Sequence, residues 1–216
     1  MSATDPGLDL RYNVEFTSPD VVIGKKFSWS QMPVKLRHNS CAVAGCTTAG
    51  QNAVLRGVQF WQKNATLYGE IQTTYGEPPD VEIKYQNSLG GNVIGVCSAS
   101  LAYNSATKQY YILTPLTLTI ATTVQGLPIN ERDTEFVAAH EMGHCLGLWD
   151  HSPKDGDLMN AYLTSKTTYS ARDINSIRWL YSHNSDLPTY PASALASQNA
   201  FAEGAITVTS PPLLTP

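Results

Sequence analysis

The chain has 216 residues, 42% of them apolar and only 15% charged, with a net charge of −4 and a pI near 5.7. That length suits one well-filled core, or a domain with a tail. The acidic balance argues against nucleic-acid phosphates and anionic membranes as partners, and no run of about eighteen or more apolar residues is present to span a bilayer.

In chain order, residues 1–25 show no sustained period and read as an N-terminal arm. Pro33–Arg37 alternates as a first strand. Residues 49–65 place Val54, Leu55, Val58 and Trp61 on one helical stripe. Pro78-Pro79 breaks the chain before a half-buried strand at Asp80–Tyr85. Leu89–Asn92 is a turn leading to a short strand, Val93–Val96. Tyr110–Thr114 and Leu116–Ile120 are β-rich, with Pro115 as a break or edge position between them. A helix is expected from about Asp133 to Leu146. Ser170-Ala-Arg-Asp173 is a capping box, opening a helix with Ile174, Ile177 and Tyr181 on its apolar side. Residues 184–216, rich in Pro, Ala, Ser and Thr, read as an extended tail or linker. Strands precede the second helix and little β-structure follows it, which predicts an α+β domain over 26–183 with a twisted sheet beside a cleft.

The chemistry concentrates in His140-Glu-Met-Gly-His144. Residues four apart share a helix face, so both imidazoles point the same way. Glu141 lies about 100° further round, where it reaches a water held by a metal rather than the metal itself. This is the H-E-x-x-H arrangement of a zinc hydrolase with Glu as general base. Gly147 ends the helix, free to take positive φ and turn the chain back. His38 and His183 stand alone and read as solvated or capping residues. Tyr162 reads as structural, and Asp155-Gly-Asp157 as a turn rather than a calcium loop. Of the four cysteines, Cys41 and Cys46 are close enough for a small disulfide, while Cys97 and Cys145 read as buried thiols. Met1–Pro6 lacks the basic and apolar regions of a signal peptide. Low charge, many Tyr, Asn, Ser and Thr, and the Cys41–Cys46 pair nevertheless favour a secreted protein.

His140, Glu141, His144 and Gly147, then Met159 in Asp157-Leu-Met159, then Tyr169–Tyr181, together resemble the metzincin zinc peptidases and their matrixin-like branch, whose pattern is H-E-x-x-H-x-x-G-x-x-H followed by a Met-turn. The resemblance spans about residues 26–182. It implies a zincin-like α+β fold with a mostly parallel sheet, a metal-bearing helix and a C-terminal helix. It further implies one catalytic Zn2+ and a protein or peptide substrate bound along an edge strand such as Val93–Val96; a monomer is expected, and the charge balance already speaks against nucleic-acid partners. Met159 is expected to form the Met-turn. The third ligand position, three residues after Gly147, holds Asp150, as in snapalysin; His151 follows one step later, as in bacterial matrixin-like sequences. His151 is the favoured ligand and Asp150 the alternative. Structural Ca2+ is compatible with the resemblance but not assigned to residues. The competing functions are a catalytically silent binding module and a zinc hydrolase of non-peptide substrates.

Overall fold

The structure, a computed structural model, describes residues 15–17, 22–30, 33–64, 72–73, 78–183, 185–197 and 206–215. Strands β1 (Glu15–Thr17) and β2 (Val22–Lys26) form an antiparallel ribbon within the expected arm; its remaining residues lie outside those described. The chain continues through β3 (Lys35–His38), α1 (Thr48–Asn64), β4 (Gln72–Thr73), β5 (Val81–Gln86), β6 (Val93–Asn104) and β7 (Gln109–Ala121). A small ribbon, β8 (Thr123–Val124) with β9 (Leu127–Pro128), leads into α2 (Glu131–Cys145) and, after a long loop, α3 (Ala171–Tyr181). Then come β10 (Thr189–Pro191), a 3-10 turn at Ala192–Ser197, β11 (Ile206–Thr209) and β12 (Leu213–Leu214).

One mixed, eight-stranded sheet organises the domain. It is parallel through β4, β3, β5 and β7, and β6 closes the series antiparallel to β7. This is the expected α+β zincin-like architecture. Helix α1 packs on α2, and α2 packs on β6 and β7. Between helices and sheet lie Val54, Trp61, Ile83, Ile94, Leu118 and Val137, all at most 1% exposed. The Trp61 indole donates to the Ala139 carbonyl (2.7 Å), pinning α1 against the middle of α2.

Three expectations change. Val93–Val96 is only the start of a twelve-residue strand; Cys97–Asn104 continues it along β7, burying Cys97, Ala99 and Leu101 in alternation with Ser98 and Ser100. Pro115 does not break the chain into two strands, because β7 runs straight through it with a cis Thr114–Pro115 bond. The partner strand shifts register there, pairing Ser98 with Thr117 and Ser100 with Leu113, so no donor is asked of the proline. Finally, the segment taken as a tail or linker is extended but not free. Strand β10 adds to β7 in parallel beyond the end of β5, and β11 and β12 lie along the outer edge of β6. Its Ser, Thr and Pro content masks short alternating runs whose partners are distant in sequence.

Leu118 is fully buried at the centre of the sheet. Leu118→Ala is expected to cost roughly 2–5 kcal/mol, read from the midpoint of urea unfolding. A loss under about 0.5 kcal/mol, the size of an ordinary surface change, would place Leu118 outside the core.

Candidate metal centre

Helix α2 begins at Asn130, whose side chain accepts from the Asp133 N–H (2.9 Å) and so caps the first turn. Its other end is closed by a Schellman arrangement: Leu148 N–H donates to the Gly143 carbonyl (3.0 Å) and Gly147 N–H to that of His144 (2.9 Å). Gly147 sits at φ +110°, and a Cβ there would meet the Phe27 carbonyl oxygen at 2.1 Å. Only glycine satisfies both conditions. Two aromatic donors take the carbonyls left open at this end, the Trp29 indole on Cys145 and the Tyr181 hydroxyl on Leu146, both at 2.9 Å.

The turn carries the chain back over α2. His140 Nε2 lies 3.0 Å from His144 Nε2 and 3.2 Å from His151 Nε2. Among the described residues, this is the one group of His, Cys, Asp or Glu that converges as metal ligands do, its three donor atoms all within 4.8 Å of one another. The structure does not bring Asp150 into this group. Its Oδ1 accepts the His151 backbone N–H (2.8 Å), a local fold that takes up the one-residue offset. Ser152 N–H then binds the Met159 carbonyl (2.6 Å), fixing the far side of His151.

The outer nitrogens are also held. His140 Nδ1 donates to the Leu158 carbonyl and His144 Nδ1 to that of Leu148, both at 2.6 Å. With each Nδ1 carrying its proton, both Nε2 atoms present lone pairs toward one point. Burial, the largest cause, pushes all three imidazoles down in pKa, His151 to about 4. Buried lone pairs facing each other without a hydrogen to share call for a cation. Tetrahedral zinc with nitrogens at about 2.0–2.1 Å sets them roughly 3.3 Å apart, close to the spacings here. The donor set therefore fits zinc.

Met159 is fully buried against α2. A Cβ at Gly143 would lie 2.5 Å from its Sδ, so the helix seats on the methionine because residue 143 has no side chain. Asp173 holds that turn from behind: its carboxylate accepts N–H groups from Leu158 (3.0 Å), Met159 (3.1 Å) and Ser170 (2.9 Å). The capping box read from sequence thus also supports the Leu158 carbonyl that orients His140. Asp157 is engaged elsewhere, by Arg172 and the Ser152 hydroxyl. His38 pairs with Tyr85, and His183 caps α3 through the Trp179 carbonyl. Tyr162 is half exposed.

Glu141 is fully buried and rises under β6, where a Cβ on Gly95 would come within 2.6 Å of its Oε1. Burial pushes its pKa well above the usual carboxylate value; the Cys97 and Leu213 N–H groups and the Ser210 hydroxyl pull it down. They stand close without completing hydrogen bonds of ordinary geometry. The sequence reading missed Gly95, although a lone glycine inside a strand marks a close approach. It also took Cys97 and Cys145 as thiols. They form a disulfide joining β6 to α2 beside His144, and Cys41 is bonded to Cys46. A pairing across 48 residues leaves no local trace.

The profile of the Peptidase_M10 matrixins matches residues 47–182, more than half of the chain. The chain belongs to the matrixin family. A comparison with curated proteins finds no match. As a matrixin with a three-histidine site, it is a zinc-dependent endopeptidase. No helix among the described residues is long and apolar enough to cross a membrane.

Asp173→Asn replaces an acceptor of three N–H groups by an amide with one acceptor oxygen. Zinc affinity, measured by chelator competition, is expected to fall about 10–100-fold. Unchanged affinity would show that Asp173 does not orient the site.

Proposed function

We propose that His140, His144 and His151 hold the catalytic zinc and that Glu141 is the general base of the peptidase. The observation that carries the assignment is the convergence of three imidazole nitrogens while the Asp150 carboxylate binds its own loop. Zinc at that point supplies Lewis acidity, polarising a carbonyl oxygen and lowering the pKa of water to about 7. Glu141 takes the proton of the attacking water at a carboxylate oxygen and delivers it to the leaving amine nitrogen. Burial raises its pKa, which strengthens it as a base. Met159 supports the ligands from below, and Gly147 gives the turn that brings His151 over the helix.

The proposed catalytic unit spans residues 26–183. Matrixins are typically secreted, and we place this one outside the cytoplasm as well. Two disulfides support that location, because such bonds persist in oxidising compartments.

Glu141→Gln is expected to retain zinc and lose at least about 100-fold in kcat; full activity would remove Glu141 from the reaction. For the third ligand, His151→Gln is expected to lower zinc affinity at least tenfold, with Asp150→Asn close to the parent by metal analysis after dialysis. The reverse order would make Asp150 the ligand.

A further inference from the structure

His140, Glu141 and His144 are all 0% exposed, yet an endopeptidase must admit a polypeptide to these groups. A later part of the chain packs against the helix that carries them. Strands β11 and β12 run antiparallel along β6, pairing Val208 with Ala99, Thr209 with Ser98 and Leu213 with Gly95. Between them Ser210 exchanges two bonds with Cys97: its N–H donates to the Cys97 carbonyl (2.8 Å), and its hydroxyl accepts the Cys97 N–H (3.1 Å). The opposite side of the segment meets the stretch that follows Met159. Leu214 N–H donates to the Ala161 carbonyl (3.0 Å), and Leu163 N–H returns to the Leu214 carbonyl (2.9 Å). Thr215 N–H ends on the Asn92 carbonyl (3.0 Å). The segment is clamped from both sides, with Val208, Ser210 and Leu213 buried.

Its register is informative. Gly95 is where Glu141 rises under β6, and Leu213 is the residue paired with Gly95. Strand β12, which carries Leu213, packs against α2, the helix of Glu141. In the proposed reaction Glu141 delivers its proton to the leaving nitrogen, which belongs to the residue after the cut bond. In a substrate held in the same register, the residue in the place of Leu213 would supply that nitrogen, and the bond before it, Pro212–Leu213 in this chain, would correspond to the scissile bond. The segment falls outside residues 47–182, the part matched by the matrixin profile.

We propose that Ile206–Thr215 is a built-in occupant of the substrate groove, lying along β6 as a substrate would and holding the peptidase closed until it is displaced. This rests on the assignment of Glu141 above. Pro211 and Pro212 stiffen the crossing, which lowers the ordering cost of binding. Tethering sets the occupant at an effective concentration in the millimolar range, enough to exclude a peptide substrate by roughly tenfold when its own Kd is near 0.1 mM.

The test compares three zinc-loaded proteins: the full chain, the chain lacking residues 206–216, and full-length Leu213→Asp, which expels the segment without shortening the chain. Hydrolysis of a fluorogenic peptide is expected to rise about tenfold in kcat/KM in both altered proteins. Should the deletion fail to fold, Leu213→Asp decides alone. In parallel, a fluorescein-labelled peptide of residues 206–216 is titrated into Glu141→Gln forms and followed by anisotropy. It is expected to bind the shortened protein and not the full chain. Equal hydrolysis by the full chain and Leu213→Asp, or equal peptide binding by both lengths, overturns the proposal. So does rapid hydrolysis of the Pro212–Leu213 bond, leaving a Pro212 carboxylate and a free Leu213 amine, because the segment is then a substrate and not a resident. If no form cleaves any peptide, the endopeptidase assignment has failed, and the anisotropy titration still decides whether the segment fills the groove.

Discussion

Three imidazole nitrogens aimed at one buried point form the constraint around which this domain is built. The outer nitrogens of His140 and His144 are committed to backbone carbonyls, so the lone pairs of their Nε2 atoms face each other with no hydrogen between them. That arrangement is tolerable in an apolar interior only with a cation at its centre. It also dictates its supports. The helix must end sharply for His151 to return, hence Gly147 and the two aromatic donors on the last carbonyls. The carbonyl behind His140 must not move, hence the buried Asp173 binding that turn. Removing a support loosens the ligands without touching them.

What the sequence made legible was local. Two histidines four apart, a helix-ending glycine and a capping box each express a period or backbone preference contained within a few residues. The alternation of Val81–Gln86 is of the same kind. The site was therefore readable down to its third ligand, where adjacent Asp150 and His151 offered zinc equivalent chemistry and only the loop path distinguishes them. Features set by distant pairing were not readable. Cys97 and Cys145 meet because β6 lies over α2, and neither neighbourhood announces a disulfide. The later half of β6 alternates only through small residues, Cys97, Ala99, Ser98 and Ser100, a faint signal that pairing with β7 makes into a strand. Ile206–Leu214 looked like a linker because its Ser, Thr and Pro content satisfies local rules for an unpaired chain; only the open edge of β6 makes it structured.

That edge links stability to function. An uncovered strand invites pairing with any extended chain, a hazard in most proteins and a requirement in an enzyme that captures extended peptides. In the proposed reading strand β6 carries both roles. It is fixed from below by the Cys97–Cys145 bond and by the approach of Glu141 at Gly95, and from outside by β11 and β12. The groups that position the edge for catalysis are those that hold its cover.

The central claim, that three imidazoles and no carboxylate bind the ion, is tested most directly by zinc X-ray absorption on the loaded protein. The account predicts three histidine nitrogens at about 2.0–2.1 Å, with the outer-ring scattering of three imidazoles and a fourth ligand without a ring. A spectrum fitted by two imidazoles and a carboxylate, or by no histidine scattering at all, would contradict it.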